Sequence, residues 1–82
     1  MRLDKFLKVS RLIKRRTVAA SVAETGRILV NGNSAKPAKQ LKIGDIIEIE
    51  FANKTEKYEV LIVPEGNVSV QEAGNLYKII EQ

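Results

Sequence analysis

The first third of the chain carries apolar side chains at helical spacing. One stripe on a single face is formed by Leu3, Phe6, Leu7 and Ile13, with Ser10 in the intervening position. This pattern predicts a first helix over about residues 2–12. Basic side chains recur every three residues beside the stripe, at Lys5, Lys8 and Arg11, so the helix is expected to expose a basic surface.

A second helix is predicted after this stripe breaks at residues 14–16. Thr17 is suited either to the N-cap or to the first turn of that helix. Its apolar positions form a narrow stripe of small residues, which allows close helix packing: Val18, Ala19, Val22 and Ala23. Gly26 is a C-terminal signal, because glycine adopts the left-handed conformation that ends many helices.

From Ile28 onward the apolar period becomes that of β-strands. Residues 28–30 form a short run rich in β-branched side chains, and Asn31-Gly32 is a strong hairpin signal because both residues tolerate a positive φ. The returning strand is predicted over 33–36, ended by Pro37.

The second half of the chain continues with short strand patterns. Gly44 and Asp45 predict a turn into a strand over 46–51, and a polar turn at 53–54 precedes a strand over 58–63. Residues 64–67 break that strand, and the tail predicts a helical turn near 71–75 and a last strand over 77–80. Two helices followed by a small, mostly antiparallel sheet make an α+β domain.

Length and composition disfavour catalysis. With 82 residues and 44% hydrophobic residues, the chain is expected to form one domain with a small core. The absence of His and Cys removes the usual general base, thiolate nucleophiles and the commonest zinc ligands, so no catalytic residue, metal or cofactor is expected. Without a long apolar segment, the protein is expected to be cytoplasmic and to have no membrane partner.

Charge is distributed unevenly along the chain. Residues 1–42 contain 11 basic side chains against only Asp4 and Glu24, a net +9, whereas residues 43–82 contain 3 basic and 8 acidic side chains, a net −5. The basic side chains of residues 1–42 repel one another, and the simplest explanation for such an excess of positive charge is a polyanionic partner. The alternative is an ordinary solvated basic surface.

The candidate nucleic-acid contacts lie on and between the predicted helices: Arg2, Lys5, Lys8, Arg11, Lys14, Arg15 and Arg16. The guanidinium groups of arginine suit phosphate because they donate two parallel hydrogen bonds. Only four aromatic residues are present, so stacking of unpaired bases is disfavoured relative to recognition of a structured RNA or of duplex DNA.

Four segments together resemble the RNA-binding domain first described in small-subunit ribosomal protein four, the S-four domain. They are Arg2-Leu3-Asp4-Lys5, Arg16 followed by Ala19, Gly26 to Gly32, and Gly44-Asp45. The resemblance covers about residues 1–51 and implies the S-four-like, or alpha-L, fold. We expect the RNA-binding domain to span residues 1–63, with residues 64–82 as a C-terminal extension packed on the same domain.

Further residues narrow the resemblance within that superfamily. The size of the chain and Leu7, Arg11, Lys14, Lys36-Pro37 and Lys39 are similar to the heat-shock-protein-fifteen group, and closer still to the Gram-positive family of ribosome-associated quality control protein P. The resemblance implies a monomer that binds large-subunit rRNA and peptidyl-tRNA on obstructed large ribosomal subunits. There it would support C-terminal alanine tailing by a quality-control tailing factor.

The resemblance also assigns roles on the helices. Arg16 is expected to be the strongest RNA contact, followed by Arg2, Lys5, Arg11 and Arg15. A serine usually stands where this chain has Arg15, so Arg15 either touches RNA or only adds to the positive field. Asp4 is expected to support the site by pairing with a basic neighbour such as Arg16.

Outside the helices two readings stay open for each candidate. Asn31-Gly32 forms a turn, and its backbone either serves the turn alone or also approaches RNA. Lys36 and Lys39 either extend the basic surface or lie on a solvated loop. Glu48 and Glu50 share one strand face but have no third clustered ligand, which favours a solvent-facing edge over a metal site.

The sequence is also compatible with two alternative functions. One is a heat-shock-type recycling factor of the large subunit that acts through ribosomal-protein contacts, with Glu56, Glu59 and Glu65 in the acidic half. The other is the detached RNA-guide domain of an rRNA-modifying enzyme, although 82 residues leave no room for the catalytic domain.

Overall fold

The computed structural model describes residues 1–66 and 68–80. Its elements, in chain order, are α1 Leu3–Val9, α2 Arg16–Glu24, β1 Ile28–Val30, β2 Asn33–Ser34, β3 Ile46–Glu50, β4 Thr55–Val60, α3 Val70–Ala73 and β5 Tyr77–Ile80. The predicted α+β class is therefore confirmed. Asn67, part of the predicted break after β4, lies outside the described residues.

Within the described residues, the five strands form one antiparallel sheet in the order β2-β1-β3-β4-β5. Alternate strand residues face the helices and are buried with them in one core; the fully buried side chains include Leu3, Phe6 and Leu7 of α1 and Ile28, Ile47, Ile49 and Val60 of the sheet. Burial of one sheet face against two helices accounts for the alternation seen in β3.

The first helix ends at Val9, three residues before its predicted end. Ser10 is buried, with 2% of its surface exposed, and its hydroxyl donates a hydrogen bond to the carbonyl of Leu7. Arg11 then adopts a left-handed backbone with φ of 63°, which ends the helix. Ile13 therefore reaches the core from the connecting segment rather than from the predicted helical stripe.

The second helix begins at Arg16, so Thr17 lies in its first turn and Arg15 is the N-cap. Ala19 and Ala23 are buried, as the narrow apolar stripe predicts. Val18 is 45% exposed, so its assignment to that stripe was wrong. At about 100° per residue, Ala19 and Ala23 define the centre of the buried face, and Val18 lies to the side of it.

The predicted hairpin is confirmed, with φ of 53° at Asn31 and 85° at Gly32. Strand β2 is shorter than predicted and ends at Ser34, because the carbonyls of Pro37 and Lys39 in the following segment accept hydrogen bonds from the start of α1 instead of from β1. Strand β3 likewise ends at Glu50, one residue early.

Strand β4 spans Thr55–Val60 rather than the predicted residues 58–63. The amides of Leu61 and Ile62 both donate to the carbonyl of Leu76, at 2.8 and 3.2 Å, so the regular ladder ends after Val60. Polar residues at the start of the strand hid its true beginning, because they gain stability from cross-strand pairing rather than from burial.

The tail completes the sheet. Ser69 caps α3, accepting a hydrogen bond from the Glu72 amide at 3.2 Å, and the predicted strand over 77–80 is confirmed as β5 beside β4. The rings of Tyr58 and Tyr77 meet edge to face with centroids 5.4 Å apart, and burial raises the pKa of Tyr58. Among the described residues, no helix has the length and apolar character that crossing a membrane requires.

Candidate nucleic-acid interface

A buried carboxylate lies under two partly exposed arginines. Asp4 is 3% exposed, and its oxygens lie 3.2 Å from Nε of Arg2 and 3.5 Å from Nε of Arg16. Nη2 of Arg2 and the amide of Lys5 also donate to Asp4, at 3.3 and 2.8 Å. The side chains of Arg2 and Arg16 are each 46% exposed. The structure thus contains the predicted Asp4–Arg16 pair, and it joins the start of α1 to the start of α2.

The loop over 36–41 holds the N-terminus of α1 in place. The amide of Leu3 donates to the carbonyl of Lys39 at 2.8 Å, and the amide of Asp4 donates to that of Pro37 at 3.1 Å. These bonds satisfy donors at a helix start that has no side-chain cap. The main chain of this loop is therefore packed against α1, while the side chains of its two lysines remain exposed.

Three of the predicted basic residues line one small groove. Lys8, Arg11 and Lys14 lie there with Val68, which precedes α3, and Val70, the first residue of α3, around a volume of about 70 Å³. The two valines were missed by sequence reasoning, because no pattern in the tail indicates that it returns to the end of α1.

Lys36 and Lys39 belong to a separate and wider groove beside the hairpin. Its volume is about 340 Å³, and it is also lined by Asn31, Asn33 and Ser34. The ammonium of Lys36 lies 3.9 Å from a carboxylate oxygen of Glu24, with both side chains well exposed. An ion pair of that kind contributes little and leaves the lysine available to another anion.

The remaining two candidates occupy different surroundings. Lys5 is half-buried and lines a depression with Met1, Val63, Pro64 and Glu65, so it is less available than the sequence suggested. Arg15 is exposed at the N-cap of α2 and makes no side-chain cap hydrogen bond. No acidic residue stands in the first turn of α2, which therefore presents positive potential next to Arg16.

Asn31 links two turns as well as shaping its own. Its Nδ2 donates to Asp45 at 3.1 Å, and its Oδ1 accepts from the amide of Ile46 at 3.0 Å. Asp45 in turn accepts from the amide of Lys42 at 2.9 Å. The sequence assigned Asp45 only to its turn with Gly44, and nothing in the spacing indicated this connection to the hairpin.

Electrostatic pairing differs across the surface. Of the 11 basic side chains in residues 1–42, three have an ion-pair partner among the described residues: Arg2, Arg16 and Lys36. No group of three or more metal-ligating side chains occurs in the described part of the chain. The chemistry this surface offers is binding of phosphate oxygens by several unpaired cations.

Comparison with known proteins defines the class first. Residues 1–47 match the S4 domain family, and the S-four resemblance read from the sequence is thereby confirmed. The RQC P-site tRNA stabilizing factor of Listeria monocytogenes is 55% identical over 84 residues, which cover 100% of this chain and 88% of that protein. The factor of the same name from Streptococcus pneumoniae is 50% identical over 82 residues, covering 100% and 92%.

Solved structures agree with this placement. Heat Shock Protein 15 of Vibrio cholerae, described as trimeric, superposes with a TM-score of 0.87 at 30% identity, over 98% of this chain and 81% of that one. The fold is thus that of an S4 domain protein. Within that class, the chain belongs to the family of the RQC P-site tRNA stabilizing factors.

Proposed function

We propose that the protein is a non-catalytic RNA-binding factor of ribosome-associated quality control. It binds tRNA and large-subunit rRNA on obstructed large ribosomal subunits in the cytoplasm, and it supports C-terminal alanine tailing by a tailing factor. The observation that carries the proposal is the pair of exposed guanidinium groups held by one buried carboxylate. The names of the relatives supply the tRNA and the quality-control setting.

The geometry of the pair leaves phosphate-binding groups exposed. Arg16 faces Asp4 through Nε, at 3.5 Å, and no described residue accepts a hydrogen bond from its terminal nitrogens. A guanidinium group held by one edge presents its other edge in a fixed direction, which favours bidentate binding of a phosphate. Fixing the side chain before binding also reduces the entropy lost on association.

Basic residues outside the pair distribute contacts over a wide surface. Lys36 and Lys39 lie in one groove, and Arg15 stands at the start of α2. Separate contacts to two RNA molecules would raise the overall affinity through effective concentration, so that the factor stays only where both RNAs are present. Its action is then positional: it remains bound and holds a tRNA in place.

Arg16→Ala tests this function directly. The variant should leave large subunits in sucrose gradients, because the main phosphate contact is lost, while circular dichroism stays unchanged because Asp4 retains Arg2. After in-cell crosslinking, RNA recovered with the unmodified protein should be enriched in large-subunit rRNA and tRNA. Unaltered sedimentation of the variant, or recovery of mainly messenger RNA, would contradict the proposal.

A second candidate is a heat-shock-type recycling factor that contacts ribosomal proteins, which the similarity to Heat Shock Protein 15 favours. Its acidic residues would bind a basic protein. However, Glu56 and Glu59 already face Lys54 and Lys78, at 3.1 and 3.8 Å, which weakens that surface. Treatment of the complexes with RNase separates the candidates: loss of association supports RNA binding, and persistence supports protein contacts.

A further inference from the structure

Arg11 occupies a backbone position that suits glycine. It follows Ser10, the C-cap of α1, and has φ of 63°; its amide donates to the carbonyl of Lys8 at 3.0 Å. Helices that end in this left-handed way usually have glycine here, because a Cβ atom crowds the following carbonyl oxygen. Asn31, which also has a positive φ, is of a type that tolerates it. An arginine at such a position indicates that its side chain serves a purpose other than local stability.

The side chain lines a groove that lacks compensating charge. Lys8, Arg11 and Lys14 share this groove, and none of the three has an ion-pair partner among residues 1–66 and 68–80. Neighbouring cations repel one another, so an anion that enters the groove lowers the electrostatic free energy. Arg2 and Arg16 do not line this groove, which makes it a separate place of contact.

The other side of the groove is apolar. Val70 is 69% exposed and Val68 is half-buried against the core. A ligand that fits therefore needs closely spaced negative charges next to an uncharged surface. The backbone of an RNA strand has both, because its phosphates alternate with riboses.

We propose that this groove is a second RNA subsite, in which Lys8, Arg11 and Lys14 bind phosphates and the two valines contact ribose. The subsite rests on the proposed function and adds to it a contact made by tail residues 68–70, beyond the S4 match at residues 1–47. Arg11 then makes the end of α1 less stable than glycine would, and its side chain increases the affinity for RNA.

Arg11→Gly is expected to raise stability and to lower affinity for RNA, so this variant separates the two effects of the Arg11 side chain. Relief of the left-handed backbone should raise the midpoint of thermal unfolding by roughly 4 °C. Loss of one phosphate contact should weaken binding of a fluorescently labelled tRNA transcript about fivefold at 100 mM salt. Arg11→Ala keeps the strained conformation, so it should show the same loss of affinity without the gain in midpoint. Val70→Thr should weaken binding about twofold with no change in charge.

The matched control is Arg27→Ala, which removes an exposed arginine that lies outside the groove and should change tRNA affinity less than twofold. Arg16→Ala reports on the proposed function in the same assay. If Arg16→Ala weakens binding and Arg11→Gly does not, the subsite is wrong and the proposed function stands. If neither variant weakens binding, the proposed function itself fails. Polyglutamate binding that depends on Arg11 while tRNA affinity does not would assign the groove to an acidic peptide instead.

Discussion

Within the described part of the chain, basic side chains are mostly unpaired in the helical half of the protein, residues 1–42, and all paired in the sheet half, residues 43–82. In residues 43–82, all three lysines have an ion-pair partner: Lys54 with Glu56, Lys57 with Glu48, and Lys78 with Glu59. In residues 1–42, eight of the 11 basic side chains have none among the described residues. Two of the sheet pairs join residues that are direct cross-strand partners, so the register itself brings opposite charges together.

The surface of the sheet half therefore neutralises its own positive charge, whereas the surface of the helical half needs an anionic partner to do so. Cross-strand pairs contribute modestly to stability and leave little external field. The helical half contains only two acidic residues, and one of them, Asp4, is buried where it orients arginines instead of cancelling an exposed field. The unpaired cations attract polyanions, which agrees with the RNA-binding role proposed for this half.

The largest effect is expected from Asp4→Asn, because an amide cannot neutralise two guanidinium groups at a buried position. Breaking such a pair should reduce the free energy of unfolding by about 2 kcal/mol. Affinity for tRNA should fall about tenfold, since Arg2 and Arg16 lose their fixed orientation. Urea unfolding and fluorescence anisotropy measure the two effects.

Asp45→Asn is the matched control for this change. Asp45 accepts hydrogen bonds from the neutral donors of Asn31 and Lys42 and forms no ion pair among the described residues. Some stability should be lost, with tRNA affinity unchanged. Equal tRNA binding by Asp4→Asn and the unmodified protein would show that Asp4 serves the fold alone.

The smallest effect is expected from breaking two pairs in the sheet half with Glu48→Gln and Glu59→Gln together. Each pair is partly exposed, so the combined loss should stay below about 1 kcal/mol in the free energy of unfolding. Affinity for tRNA should be unchanged or slightly higher, because the net charge becomes more positive. A clear decrease in affinity would place RNA contacts on the sheet and remove the distinction between the halves.

Local signals in the sequence were sufficient for most elements of the fold. The Asn31-Gly32 hairpin, the end of α2 just before the left-handed Gly26 and the strand over 77–80 all depend on neighbouring residues, and the structure confirms them. The pairing of Asp4 with Arg16 was also expected and is present. The RNA contacts themselves stay predictions.

Features that the apolar pattern does not show were not predictable, whether they are local or depend on distant parts of the chain. The early end of α1 at Val9 follows from the side-chain bond of Ser10 and the left-handed Arg11, which an apolar stripe does not reveal. Strand β4 starts earlier than predicted because polar side chains pair across the sheet. Likewise, the valines beside Arg11 come from a tail whose return to α1 has no local signature.

The central claim is that basic side chains of the helical half bind phosphates. The salt dependence of tRNA binding tests it most directly. Each phosphate neutralised releases counterions, so neutralisation of about five phosphates predicts that the logarithm of the association constant falls with the logarithm of salt concentration with a slope of about −3 to −4. The Glu48→Gln, Glu59→Gln variant should keep that slope. A slope close to zero for the unmodified protein would contradict the account.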